Sequence, residues 1–239
     1  MYTIIGGSGK VAKLFTQQAV QKGIKVKSVV RSHDHVASLK ELGASVVVED
    51  IEQASVNTLA SVIQGSDVVI WAAGAGGKGG PDRTISVDRD AAIKTYDAVE
   101  AAGVPRFLLV SAIDVRDRSK PFPEYYSEKD RQMSERMWKA IPKYLEAKYD
   151  ADKNLISRTG FNWTILRPSG LTDAPGKGKV SLGQTAMTMV SREDVAATLL
   201  ALVDEPKSYG MAFDLTEGDT PIADAVQQAC ARGVTDFTG

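Results

Sequence analysis

Tyr2-Thr3-Ile4-Ile5-Gly6-Gly7-Ser8-Gly9-Lys10-Val11-Ala12 decides how the rest of the chain is read. Four strand-forming residues run into a turn of Gly6, Gly7, Ser8 and Gly9. A helical pattern then opens, with Val11, Leu14, Phe15 and Val20 apolar and Lys10, Lys13, Gln17 and Gln21 polar. Glycines suit this turn for two reasons. It takes backbone angles closed to other residues, and a phosphate can approach main-chain N–H groups at a helix start only where no Cβ intervenes. The spacing Gly6-x-x-Gly9-x-x-Ala12 is a variant of the dinucleotide fingerprint, whose last small residue lets the helix pack closely on the strand.

Working outward, the chain repeats the same unit. Lys25 to Arg31 reads as a second strand, and the residue ending it faces the adenosine ribose in a dinucleotide fold. An acid there would hold the 2′-hydroxyl of NAD. Arg31, followed by Ser32, points instead to the 2′-phosphate of NADP, or else stands as a solvated strand-end arginine. A helix from His33 to Leu42 is stopped by Gly43. Strand Ala44 to Val48 delivers Glu49-Asp50-Ile51, which either meets the adenine or, through Asp50, begins a turn. Helix Ala54 to Gln64 precedes Val68-Val69-Ile70-Trp71-Ala72-Ala73, an apolar run expected to be buried on both faces. Gly74 is read as backbone lying against a ligand, and Gly77 to Gly80 as a mobile surface loop. Helix Ser86 to Ala102 and strand Arg106 to Ser111 follow. Strands alternating with helical crossovers imply an α/β fold, a doubly wound parallel sheet.

Residues 112–142 break the rhythm. Ile113 to Pro123 is polar and proline-marked, hence a loop, and Ser127-Glu128-Lys129-Asp130 can cap a helix carrying Met133, Met137, Trp138 and Ile141. Such a stripe suits core packing or a subunit contact. Its place beside the expected cofactor also allows a lid. The helix from Pro142 to about Arg158 holds two Tyr-x-x-x-Lys pairs, Tyr144/Lys148 and Tyr149/Lys153. Residues four apart share a face, so each ammonium lies one turn from a phenol, where it lowers the phenol's pKa and can also hold a ribose. Strand Trp163 to Leu166 ends in Arg167-Pro168-Ser169 at the sheet's carboxyl edge. Residues 172–190 show no long period. Ser191 caps a helix to Val203, Met211 to Leu215 is a strand, and Ile222 to Arg232 a last helix. One domain spanning 1–239 is expected, with 168–239 forming a small substrate lobe.

Composition narrows the function. The chain has 239 residues, is 43% hydrophobic, and balances 29 Lys and Arg against 30 Asp and Glu. This gives no reason to expect a nucleic-acid or membrane partner. A single cysteine, Cys230, makes no internal disulfide, and no apolar run reaches the roughly 18 residues of a membrane span. With a strand where a signal core would lie, the expectation is a cytoplasmic protein, monomer or homodimer, taking a small-molecule substrate. One Cys with His33 and His35 cannot build a structural zinc site, so no metal is expected.

Several further stretches match a known pattern: Val87-Asp88, Val104-Pro105-Arg106-Phe107 into Val110-Ser111, Tyr144-Leu145-Glu146-Ala147-Lys148 with Asp152 and Leu155, Thr164-Ile165-Leu166-Arg167-Pro168, and Asp194-Val195-Ala196. With the glycine turn they resemble the atypical and extended short-chain dehydrogenase/reductase group, closest to its NmrA-like branch related to flavin/biliverdin reductase. The resemblance implies a Rossmann fold and a nicotinamide cofactor. It also implies that Tyr144, rather than Tyr149, is the active-site tyrosine, with Lys148 and Ser111. The family often has a hydroxyl residue after the position of Ser111, where this chain has Ala112. The expected activity is NADP-dependent reduction of a small carbonyl or conjugated substrate. Gly6, Gly7, Ser8, Gly9, Lys10 and Val11 would serve the pyrophosphate, Arg31 and Ser32 the 2′-phosphate, Asp50 and Ile51 the adenine, and Lys148 the ribose. Ala72, Ala73, Gly74, Ser111, Arg167, Pro168 and Ser169 would complete the cofactor site. The alternatives are a regulator that senses NADP and contacts a partner protein, and, less favoured, an epimerase-like isomerase. Fold alone does not choose among them.

Overall fold

Strands β1 (Tyr2–Ile5), β2 (Val26–Val30), β3 (Ser45–Val48), β4 (Val68–Trp71) and β5 (Arg106–Val110) are separated by helices α1 (Lys10–Gln21), α2 (Val36–Glu41), α3 (Val56–Ile63), α4 (Gly80–Thr84) and α5 (Ala92–Ala101). The computed structural model describes residues 1–77, 79–233 and 235. Beyond β5 come α6 (Glu128–Ala140), α7 (Pro142–Ile156), β6 (Asn162–Pro168), β7 (Gly170–Thr172), β8 (Lys179–Leu182), β9 (Met189–Ser191), α8 (Arg192–Val203), β10 (Met211–Glu217), β11 (Thr220–Pro221) and α9 (Ile222–Arg232).

The sheet order is β11-β8-β10-β6-β5-β4-β1-β2-β3. Pairing is parallel from β3 across to β10 and antiparallel from β10 through β8 to β11. All four residues of β1 and of β4 are buried, as a strand covered on both faces requires. Register then sorts side chains by parity. Ile4, Ile70 and Leu108 are paired neighbours and enter the core beneath α1, α8 and α9, while Ile5, Trp71 and Leu109 enter the core beneath α3, α5 and α7. Burying each such side chain contributes about 1.5–3 kcal/mol. The order of strand addition reverses between β1, from which the sheet grows to β2 and β3, and β4, from which it grows to β5 and β6 on the other side. The crevice outside the strand ends at this reversal is where ligands of such sheets bind.

Two stretches differ from the sequence reading. The helix expected from Ser86 begins at Gly80, with Pro81 in its first turn where its missing N–H costs nothing, and then passes through a π-helical stretch, Ile85–Ala91, before α5. Residues 172–190, which show no period, contain β8 and part of β9, strands too short for alternation to register. Beyond β6, strands β8, β10 and β11 extend the main sheet, while β7 and β9 form a separate two-stranded ribbon.

Candidate cofactor and substrate site

The glycine turn closes on the neighbouring strand end. Gly6 has φ of +83°, and a Cβ there would stand 2.6 Å from Cα of Ala73. A Cβ on Gly7 would stand 2.7 Å from that of Ser28. These two glycines are demanded by the protein itself. Gly9 is the residue before α1, with extended backbone and no side-chain cap on the helix, and its Cβ would come 3.3 Å from the Gly6 carbonyl oxygen. An uncapped, glycine-edged helix start is an anion site in waiting, so the turn fits a pyrophosphate.

Two cavities extend from it, sharing Gly9, Ala72, Ala73 and Gly74 in their walls. The smaller, about 210 Å³, runs past Gly6 and Ser8 to Arg31, Ser32, His35, Ile51, Glu52 and Arg83. The larger, about 830 Å³, runs past Lys10 and Val11 to Ser111, Tyr144, Lys148, Pro168 and Ser169, and is also lined by Ile113, Met133, Met137, Leu171, Met187 and Met189. Most of the residues singled out from sequence therefore line one crevice. Three do not. Gly7 is packed against Ser28, outside both linings. The Asp50 carboxylate accepts the Glu52 N–H at 2.9 Å and caps a turn, outside the cavity lining. Arg167 is 1% exposed; its guanidinium donates to the carbonyls of Ala112 at 3.2 Å and Val115 at 2.6 Å and lies 3.4 Å from Asp214. The guanidinium is turned into the protein, away from the crevice, and ties the 112–115 loop to β10.

Helix α7 supplies the reactive-looking pair. Burying Leu145, Ala151 and Leu155 leaves Tyr144 and Lys148 on the face toward the crevice. Lys148 Nζ is 5.7 Å from the centre of the Tyr144 ring, 3.2 Å from Asp88 Oδ1 and 3.3 Å from the Val110 carbonyl. Both tyrosines pack on the Val115, Trp138 and Leu145 cluster, but Tyr149 lies outside the cavity lining that Tyr144 joins. The spacing predicts that Lys148 lowers the phenol's pKa, and it does pull in that direction. In the structure burial holds Tyr144 above its ordinary value, with Lys148 pulling down and Asp88 and Asp152 pushing up. Burial by itself would lower Lys148, but Tyr144, Asp88 and Asp152 outweigh it and the ammonium is held above its usual range. Both groups keep their protons at neutral pH.

Asp88, within the π-helical stretch, also accepts the Ala75 N–H at 3.0 Å, so one carboxylate fixes both the lysine and the glycine-rich loop. Asp152, one turn beyond Lys148, accepts the Ser111 hydroxyl at 2.8 Å. Burial pushes Asp152 up to about 6, against Arg167, the Ser111 bond and Lys148. Beneath the crevice, Asp214 accepts Tyr125 Oη at 2.9 Å, and Asp114, at φ of +61°, accepts Arg116 at 2.9 Å and Tyr126 at 3.1 Å. This network seats the 112–126 loop. Helix α6 starts at Ser127 with the capping box its sequence predicts, and its stripe divides: Met133 and Met137 face the crevice while Trp138 is buried beside Val115 and Leu145. Asp88, Glu52 and Arg83 were not singled out from sequence as site residues. Glu52 directly follows Ile51 and Asp88 belongs to the Val87-Asp88 stretch of the resemblance, yet neither position tells that its carboxylate turns into the crevice, and nothing in its spacing marks Arg83.

A family model described as NAD(P)H-binding matches residues 6–206. The chain belongs to this family. Other members and neighbours agree with the fold. A UPF0659 protein of Schizosaccharomyces pombe is 42% identical over 242 residues, covering 100% of this chain and 98% of the relative. A solved Bacillus halodurans structure carrying the provisional name NAD-dependent epimerase/dehydratase is 31% identical at a TM-score of 0.80, over 95% of this chain and 99% of the other. The anaerobilin reductase ChuY of Escherichia coli O157:H7 is 25% identical at 0.72, over 91% and 97%. The resemblance to the atypical short-chain dehydrogenase/reductase group is thus supported by both sequence and structure, and the expected Rossmann-type sheet is present.

Proposed function

We propose that this NAD(P)H-binding protein is an NADP-dependent oxidoreductase acting on an apolar carbonyl or conjugated substrate. The observation that carries the reading is the placing of Tyr144 and Lys148 side by side at the polar floor of a large, methionine-walled cavity that opens from the glycine turn. A bound nicotinamide would supply the hydride. Tyr144, protonated at neutral pH, gives a proton to the substrate oxygen or nitrogen as charge develops there. Lys148 holds the ribose and favours the phenolate that results. Arg31 and Ser32 take the adenosine end, and Ala72 to Gly74 leave room for the chain of the cofactor. The 112–142 insertion lays Met133 and Met137 over the substrate end and excludes water. The methionines' polarizable, adaptable side chains suit a flat or irregular apolar molecule. The reading is tested by following NADPH oxidation against a panel of quinones, flavins and aldehydes with the native protein and with Tyr144→Phe. Turnover that depends on Tyr144 supports it, and turnover indifferent to Tyr144 overturns the assigned mechanism.

One observation favours a second reading, cofactor sensing without turnover. The Ser111 hydroxyl donates to Asp152, and Ala112 has no hydroxyl to offer, so Tyr144 lacks the usual companion. NADP binding that changes association with a protein partner, with no turnover across the panel, would favour it. The epimerase name of the Bacillus halodurans neighbour adds a third arm: conversion of a sugar nucleotide without net cofactor oxidation.

A further inference from the structure

Glu52 lies in the turn after β3 with both its ends fixed. Its backbone N–H is held by Asp50, and its carbonyl accepts Lys94 Nζ at 2.9 Å. The side chain, 16% exposed, turns inward. Oε1 is 3.3 Å from Arg31 Nη1 and 3.3 Å from Arg83 Nε, and Oε2 accepts the Ser86 hydroxyl at 2.7 Å. Arg31 follows β2 and Arg83 belongs to α4, so one carboxylate gathers two arginines from separate elements that line the smaller cavity. All three line it beside Ser32 and His35.

We propose that Glu52 sets the nucleotide selectivity of the site: its carboxylate holds the place between Arg31 and Arg83 that the 2′-phosphate of NADP would take, and accepts a hydrogen bond from the 2′-hydroxyl of NAD. This rests on the dinucleotide-binding reading above. A carboxylate and a phosphate repel at such range, so NADP must draw the arginines away from Glu52 or share them with it. Arg31 is 56% exposed and has room to swing; Arg83, 25% exposed, is also tied to the Ala75 carbonyl at 3.3 Å. The acid that selects NAD in dinucleotide folds ends the second strand, where this chain has Arg31. Glu52 supplies that acid from the next strand over, opposing the arginine within the same pocket. The consequence is a preference for NADP that is narrower than two arginines alone would give.

The test is calorimetric titration of NADP⁺ and NAD⁺, each alone, into the native protein, Glu52→Gln and Glu52→Asp, with thermal unfolding of each variant recorded. Glutamine keeps the length and the bond to Ser86 while removing the charge. The NADP⁺ to NAD⁺ affinity ratio is expected to rise roughly ten-fold or more, the worth of one charge-assisted hydrogen bond. Aspartate withdraws the charge by one methylene and should raise the ratio less, which keeps the test open if the glutamine variant fails to fold. A ratio unmoved or lowered in the folded variants would overturn the proposal and leave Glu52 as a residue that merely orients the arginines. If the native protein bound neither nucleotide, the dinucleotide reading would fall first and this inference with it.

Discussion

Asp88 and Lys148 meet as a buried ion pair, Oδ1 to Nζ 3.2 Å, with side chains 1% and 4% exposed. They lie 60 positions apart in sequence, one in a π-helical stretch and the other in α7. Removing one partner of such a pair strands the other charge without solvent, which costs about 3–5 kcal/mol. Asp88→Asn keeps an acceptor for the Ala75 N–H and so isolates the charge effect. Urea unfolding should show it less stable by about 3 kcal/mol or more, and adding Lys148→Met should restore part of the loss. A loss under about 1 kcal/mol would mean that solvent reaches the pair.

The tyrosines separate by direction. Five residues along a helix turn through about 500°, placing Tyr144 and Tyr149 about 140° apart. Tyr144→Phe should lower kcat roughly 100-fold with cofactor affinity kept, whereas Tyr149→Phe should leave both near the native values. Equal effects of the two substitutions in steady-state kinetics would remove Tyr144 from its assigned role.

Arg31→Asp reverses the charge at the adenosine end. The lost charge-assisted bond is worth about 1.5–3 kcal/mol, so the variant should bind NAD⁺ in preference to NADP⁺ by equilibrium titration. Unchanged NADP⁺ affinity would reduce Arg31 to a partner of Glu52 alone.

The glycines divide the same turn into scaffold and cradle. Gly6→Ala must adopt φ of +83° with a Cβ 2.6 Å from backbone, and should lower the unfolding midpoint by several degrees or abolish soluble expression. Gly9→Val brings a Cβ to 3.3 Å from the Gly6 carbonyl oxygen, a tight approach that a small shift of the turn relieves, so it should fold at a modest cost in stability, but with the β-branched side chain at the helix start it should lose dinucleotide binding. Intact binding in a folded Gly9→Val protein would mean that the pyrophosphate lies elsewhere.

Asp152 predicts a pH dependence opposite in sign to that of an exposed salt-bridged carboxylate. Burial raises it from 3.8 to about 6, so between these values the folded state holds a proton that the unfolded state has released. Stability then falls as pH rises through this window, by about 1.4 kcal/mol per pH unit for this group. Asp152→Asn, which can still accept from Ser111, should flatten that slope in urea titrations run from pH 4 to 6.5. Identical slopes in the two proteins would show that Asp152 ionises freely.

The parallel sheet was legible because each of its first five strands is a short, largely apolar or alternating stretch bounded by glycine or polar turns, and the glycine turn places the crevice. Tyr144 was separable from Tyr149 only through the resemblance, since both pairs have the same spacing. Asp50 and Arg167 show where local reading stops. Each sits at a strand end, where a ligand contact and a structural one look alike: Asp50 turns back on the Glu52 N–H two residues on, and Arg167 turns inward to Asp214, which is distant in sequence. The tyrosine's acidity divides in the same way: helical spacing correctly brings the lysine near enough to lower it, but the burial that outweighs the lysine belongs to the tertiary fold.

The π-helical stretch constrains which changes of length the chain can absorb. A π turn carries one residue more than an α turn, so deleting any one residue of 85–91 would let the helix regularise and rotate the preceding segment by about 100° relative to α5. Arg83 and the glycine loop would then be re-aimed as a body, and Asp88 would leave Lys148 if the cut fell after it. Insertions near Gly76 and Gly77, where a side chain would find open space, carry no such penalty. Related chains should therefore vary freely in loop length just before this helix yet keep a constant residue count from Asp88 to the end of α5, a gap pattern that an alignment of the family can reveal.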